Sequence, residues 1–314
     1  MSLTEPQVLC TGIAVLDAVF GVAQFPVPEA KTQASAFMII SGGCAANAAV
    51  AIARLGGRAR FAGPLGGPAG AEAIGDRIVA ALAGEQVDCA ACPRVPGVAS
   101  SMSAICIDPL GERAIVNYRD DRLAAARPSD PSALVATADA VLADNRFPEF
   151  VLPICDAARA RGIPVVLDVD KPTRATDSLL RIATHLVFSA EGLRATVDTD
   201  DLDAGLGRIA AVSRSFLAVT DGAHGVFWRM PGPQEKVRRM SAFPIQPIDT
   251  LAAGDVFHGA FALALAEGRE ETDAMRFAAA AAAIKCTRFG GITGAPGRAE
   301  VEAFRAAQEA PHEA

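Results

Sequence analysis

Short apolar runs alternate with amphipathic or alanine-rich stretches along most of this chain. Val8–Ala14 is an apolar run ending in small residues, which fits the first buried strand of a parallel sheet. From Ala18 to Ile40 the pattern changes to partial alternation broken by Pro26 and Pro28, predicting two strands that leave the main sheet. Ala48–Gly57 reads as a helix stopped by glycine, and Phe61–Gly66 with Ala71–Leu82 as the next strand and helix. Ser103–Ile107 and Arg113–Tyr118 alternate on either side of the turn sequence Asp108–Glu112, which predicts a hairpin. Beyond Asp130 come strand Ala140–Ala143, helix Pro153–Arg161, strands Pro164–Leu167 and His185–Phe188, helix Asp203–Val212 and strand Phe216–Thr220. An apolar helix follows a turn of small residues within Ile248–Gly268, the alanine run Ala278–Ala283 is a buried helix, and Glu302–Ala314 reads as a terminal one. Such βα alternation predicts an α/β fold, a doubly wound and mainly parallel sheet with helices on both faces. Residues 17–40 and 99–120 would form a small β-sheet lid. With no internal repeat and no Gly-, Ser- or Pro-rich linker, residues 1–314 are expected to make a single domain.

Composition narrows the partners. Half of the 314 residues are hydrophobic and 21% are charged, as in a globular chain. The net charge of −7 argues against a nucleic-acid partner, although a local basic pocket for a small anion is compatible with it. The seven cysteines are odd in number and scattered, and the N-terminus carries no signal-peptide pattern, so a cytoplasmic protein with reduced thiols is expected. Cys89 and Cys92 have metal or redox spacing, but no second pair or nearby histidine completes a zinc set. Charges interrupt the alanine-rich runs well before the ~18 apolar residues of a membrane span, so no membrane association is expected.

Candidate chemistry concentrates around residues 248–268. Small side chains at Ala252, Ala253 and Gly254 let a ligand approach the backbone, and the helix beginning there points unpaired N–H groups at it, an anion site. Asp255 falls at the mouth of that site. It can accept a proton from a hydroxyl attacking a bound phosphate, or merely cap the helix. Asp17, at the end of the first strand region, can hold hydroxyls or serve a turn. Gly42 and Gly43, just before a helix that carries Asn47, supply a hinge and a close backbone approach. Lys285 and Arg288 read as cations favouring the C-terminus of the alanine-rich helix.

The stretch from Asp249 to Asp255 resembles the C-terminal signature of the ribokinase-type (PfkB) sugar kinases, with Ala252 in place of its first glycine. Gly42, Gly43 and Asn47 resemble the N-terminal signature of the same family, and Val219–Gly225 its Thr-x-Gly-x-x-Gly turn. The resemblance implies a ribokinase-like fold and an ATP-dependent sugar kinase. Asp255 would be the base, the amides of Ala252, Ala253 and Gly254 would hold the moving phosphoryl group, and Asp17, Gly42, Gly43 and Asn47 would orient the sugar. Ser189, Thr220, Gly222 and Gly225 would border the nucleotide. Mg2+ is implied, a monovalent cation is compatible, and a lid-to-lid homodimer would use Val19, Phe20, Val22 and Phe37. Where the family usually carries Asn-x-x-Glu, this chain has Ser189 and Gly192 with Glu191 one position off, so no metal ligand is assigned.

Gly111–Arg113, Asn117–Tyr118, Val141–Asp144 with Arg146, Val166–Asp168, Gly254–Ala260 and Lys285–Arg288 are similar to bacterial sulfofructose kinases. There a lysine, an asparagine and an arginine matching Lys31, Asn117 and Arg146 hold a sulfonate, which implies phosphorylation of 6-deoxy-6-sulfofructose at its C1 hydroxyl. Ketohexokinase, fructokinase or ribokinase activity on a neutral sugar is the alternative. A catalytically inactive sugar or nucleotide sensor is a further one. A nicotinamide-dependent oxidoreductase ranks low, because no Gly-x-Gly-x-x-Gly follows the first strand.

Overall fold

The computed structural model describes residues 5–174 and 177–309. Among them, eight strands form one sheet in the order Arg238–Met240, Val226–Arg229, Phe216–Thr220, His185–Ser189, Val165–Val169, Ala140–Asp144, Gln7–Thr11, Arg58–Ala62. The six from Phe216 to the Arg58 edge run parallel, and the other two are added antiparallel. Successive strand residues point to opposite faces. Val8, Cys10, Leu142, Val166 and Val187 accordingly join the core beneath helices Cys44–Arg54, Ala253–Ala266 and Glu271–Cys286. Leu9, Val141, Leu167, Leu186 and Phe188 pack beneath helices Pro148–Ala160, Ala190–Val197 and Leu202–Ala210 on the other face.

The two early strands and the hairpin pair with one another, in the order Ala34–Gly42, Val15–Val22, Ser101–Ile107, Arg113–Tyr118. This small sheet is fused to the large one at Ile13–Ala14, and its strand Ala34–Gly42 runs straight into helix Cys44–Arg54. One face buries Val19, Ile105 and Ile107 against Met38, Ile40, Leu251 and Phe289. The other leaves Phe37 58%, Val116 76% and Tyr118 57% exposed. Val19 and Val22, expected at an outer apolar surface with Phe20 and Phe37, are buried instead, because pairing turned Val19 to the inner face.

Some boundaries differ from the sequence pattern. The helix expected at Pro153 begins at Pro148, leaving Pro153 inside it. Helix Ala190–Val197 has no predicted counterpart; Ser189 caps it by accepting the Gly192 N–H at 3.0 Å. The terminal helix runs Arg298–Glu309, and residues 310–314 of the expected stretch lie outside those described. The seven cysteines are free, and no described helix is long and apolar enough to cross a membrane.

Candidate active site

Two helix N-termini meet where the small sheet joins the large one. Gly259 sits against the Ala48 backbone, where any Cβ would lie 2.6 Å from the Ala48 carbonyl oxygen, so helices Cys44–Arg54 and Ala253–Ala266 pack closely. That approach brings the first turns together: Asn47 Nδ2 donates to Asp255 Oδ2 at 2.7 Å. Helix Ala253–Ala266 starts from Ala252 in the left-handed region, φ 64°. Gly254 is exposed, with open space where a side chain would stand.

The amides available here differ from the expected set. The Ala253 N–H is donated to the Thr250 carbonyl at 3.3 Å, closing the turn, while those of Ala252, Gly254 and Asp255 have no backbone acceptor among the described residues. Together with the dipoles of two helices they make an anion-attracting mouth. Burial raises the Asp255 carboxyl to about 7, opposed by the Asn47 hydrogen bond and helped by Asp170. A carboxyl poised there can take a proton near neutrality.

Asp17 faces the same junction. It shares a cross-strand row with Ile40, Ser103 and Asn117, so these four side chains lie on one face of the small sheet. Any Cβ at Gly42 would overlap the Asp17 carboxylate, and one at Gly43, φ 91°, would meet the Ile13 carbonyl at 2.6 Å. Both glycines are therefore required sterically. Burial raises Asp17 to about 6, partly offset by a hydrogen bond with Ser103. Asn117 is exposed on an edge strand. Lys31, expected to hold a sulfonate, lies in the exposed segment between two strands. No described contact ties it to the other candidates.

The chain has known relatives. The chain matches the pfkB family carbohydrate kinases over residues 5–298. The chain belongs to that family. A curated ribokinase from Haemophilus influenzae is 30% identical, covering 92% of this chain and 94% of that one. One from Bacillus subtilis is 28% identical, covering 93% and 96%. The structure of a candidate ribokinase from Agrobacterium tumefaciens superposes with a TM-score of 0.92 at 38% identity, covering 98% of this chain and all of that one. This protein is thus a carbohydrate kinase, an ATP-dependent phosphotransferase acting on sugar hydroxyls.

Around Asp255 the kinase gathers Arg146, expected from the sequence, with Asp144, Asp168 and His258, to which the sequence assigned no role. Asp144, fully buried, accepts the Ile13 N–H at 2.7 Å, the Ala45 N–H at 3.3 Å and the Arg146 N–H at 2.9 Å, and burial raises it to about 6. Any Cβ at Gly12 would overlap this carboxylate. Asp168 is buried and held well above its ordinary range, first by burial and then by Asp170 and Asp255. His258 lies 3.5 Å from it, bonded through Nδ1 to the Gly254 carbonyl at 2.6 Å, and burial lowers its pKa. Arg146 pairs with Asp170 through both Nε and Nη2 and touches the Cys44 sulfur. The signal for Asp144 and Asp168 was their position at the ends of apolar strands.

Beside Arg146 a cavity of about 180 Å3 is lined by Arg119, Lys171 and Asn145. Lys171 is held below its ordinary pKa by burial and then by Arg146 and Arg119, as expected where cations gather.

Ser189 and Thr220 lie side by side in register at neighbouring strand ends. The Ser189 hydroxyl is taken up as a helix cap, and Thr220 Oγ1 donates to the Phe188 carbonyl at 3.4 Å. Gly222, φ 52°, opens the turn to Val226–Arg229, and a Cβ at Gly225 would overlap the Met240 carbonyl. Glu191 is exposed. Among the described residues, the group close enough to share a metal ion is Cys44, Asp168 and Asp255. Burial keeps the Cys44 thiol protonated, and Mg2+ requires oxygen ligands, so this set does not fit Mg2+.

Proposed function

We propose that this kinase transfers the terminal phosphoryl group of ATP to a primary hydroxyl of a sugar, with Asp255 as the base. The observation that carries this reading is the Asp255 carboxyl, raised to about 7, in the first turn of a helix whose start leaves amides free. Asn47 holds one carboxylate oxygen, leaving the other to accept the hydroxyl proton as the oxygen attacks phosphorus. The amides of Ala252, Gly254 and Asp255 then stabilise charge on the transferring group. Mg2+ supplies charge neutralisation on the phosphates. It would be carried by the nucleotide and water. Ser189, Thr220, Gly222 and Gly225 would border that nucleotide.

Residues 1–314 would act as one domain with the four-stranded sheet, about 17–40 and 99–120, as its lid. The row of Asp17, Ser103 and Asn117 would face the acceptor, and closure would exclude water. The outer face, with Phe37, Val116 and Tyr118 exposed, suits a lid-to-lid homodimer. Seven free cysteines suit the cytoplasm.

For the acceptor, three cations around one small cavity favour an anionic end. Arg119, Arg146 and Lys171, with Asn117 near Arg119 in the chain, support 6-deoxy-6-sulfofructose going to its 1-phosphate. A neutral sugar is the second reading, favoured by the pairing of Arg146 with Asp170 and by relatives named ribokinase and fructokinase. ATP consumption against sulfofructose, fructose, fructose 6-phosphate, ribose and a nucleoside separates the two. Preference for sulfofructose is expected. Turnover of ribose or fructose without that preference discards the sulfonate, and no turnover with any sugar brings forward a binding-only sensor.

A further inference from the structure

The sequence pattern makes Lys285 a helix-end cation, yet its side chain is fully buried beneath the anion turn. It extends from the last turn of helix Glu271–Cys286, and its Nζ donates to the Asp249 carbonyl at 2.7 Å and lies 3.1 Å from Asp249 Oδ2. Asp249, also fully buried, is the hub of two chain segments. Its Oδ1 accepts the Leu251 N–H at 2.7 Å, and its Oδ2 accepts the N–H groups of Gly290 at 3.0 Å and Gly291 at 2.8 Å. The Cys286 carbonyl in turn accepts the N–H groups of Ile248 and Asp249. The turn that leads into Asp255 is therefore fastened to the end of the alanine-rich helix around one ammonium and one carboxylate.

An ammonium and a potassium ion are close in size, carry the same charge and seek the same oxygen ligands. A buried carboxylate with a backbone carbonyl beside it calls for a positive centre, and two sources can provide one: a diffusible ion or a tethered amine. We propose that Lys285 is a built-in monovalent cation, a positioning residue that sets the Asp249–Gly254 turn and makes the kinase independent of added K+. Lys285 touches no reacting atom; it acts through the Asp249 peptide, whose orientation sets the direction of the next amides in the turn. Burial lowers the Lys285 pKa, and the Asp249 carboxylate opposes that shift.

The proposal rests on the kinase reading for its rate measurements but not for its binding measurements. Wild-type protein, Lys285→Ala and Lys285→Met would be assayed at fixed ionic strength in Li+, Na+, K+, Rb+ or NH4+ chloride. Melting temperature would be recorded in parallel, without substrates. Wild type is expected to show the same kcat and Tm in every salt. Lys285→Ala is expected to lose about 100-fold in kcat and regain at least about tenfold with K+ or NH4+ but not Li+, with a matching cation-specific rise in Tm. Lys285→Met, which fills the space without charge, is expected to lose activity and show no rescue. Cation-specific activation or stabilisation of wild type overturns the proposal, as does a Lys285→Ala variant whose defect no cation relieves. If neither variant folds, the wild-type salt series alone decides. A Tm response that follows this pattern in protein without turnover upholds the inference while sinking the kinase reading, so the two failures stay distinguishable.

Discussion

The two sheets of this kinase meet at the Asp17–Asp255 junction but are built on different terms. The inner strands of the large sheet are buried on both faces, and the helix carrying Asp255 is buried from Val256 to Ala264, just beyond its first turn. The small sheet buries only Val19, Ile105 and Ile107 as its own apolar cluster and leaves its other face open. Regions with few buried apolar contacts open at low free-energy cost, whereas close-packed ones hold an atom in place. The contrast leaves Asp255 on the more densely buried body and Asp17, Ser103 and Asn117 on the more open one.

The largest expected effect breaks the chemistry and spares the small sheet. Asp255→Asn should lower kcat about 1,000-fold while calorimetry still detects sugar and ATP; a loss under tenfold would remove the base from the rigid region. The pH profile sharpens the same point. Turnover should rise as pH climbs through about 7, where Asp255 ionises. Stability moves the other way. The folded carboxyl binds its proton more tightly than the unfolded one, so stability falls as pH rises from about 4 to about 7. Asp255→Asn removes that penalty and should be more stable than wild type at pH 8, by about 2 kcal/mol in urea.

Next in size, Arg146→Ala should raise KM for an anionic sugar by about 1.5–3 kcal/mol equivalent and alter fructose KM little. Equal effects on both would move acceptor choice away from the basic cavity. Val116→Glu on the open face should convert a dimer to monomer by sedimentation, with kcat changed less than about twofold. Retention of a dimer would show that the exposed face serves another purpose. Smallest, Ala252→Gly should raise stability by up to about 1 kcal/mol, because Ala is strained at φ 64°. Thermal unfolding measures it, and a lower Tm would mean that the buried methyl contributes more than the strain costs.

Much of this was legible from local pattern. The order of most strands and helices followed from apolar periodicity, and Gly42, Gly43, Asn47 and Asp255 stood in motifs recognisable from near neighbours in the chain. Lys31 and Ser189 were harder. A segment between strands has no periodicity to place it, and a serine before a helix reads equally as a cap or a ligand. The amide set shifted by one because Ala253 closes its turn on Thr250, a detail of backbone angles.

The sequence by itself determined the α/β order, the paired glycines before a helix and the aspartate at a helix start, because each is a property of residues a few positions apart. Only the tertiary structure decided that Asp144 ties three segments together, that Asp170 takes the charge of Arg146 and that Lys285 serves Asp249 from 36 residues away. Those outcomes depend on which groups share a site shielded from water. Burial raises Asp255 to about 7, a shift that its place in the first turn of a helix does not by itself announce.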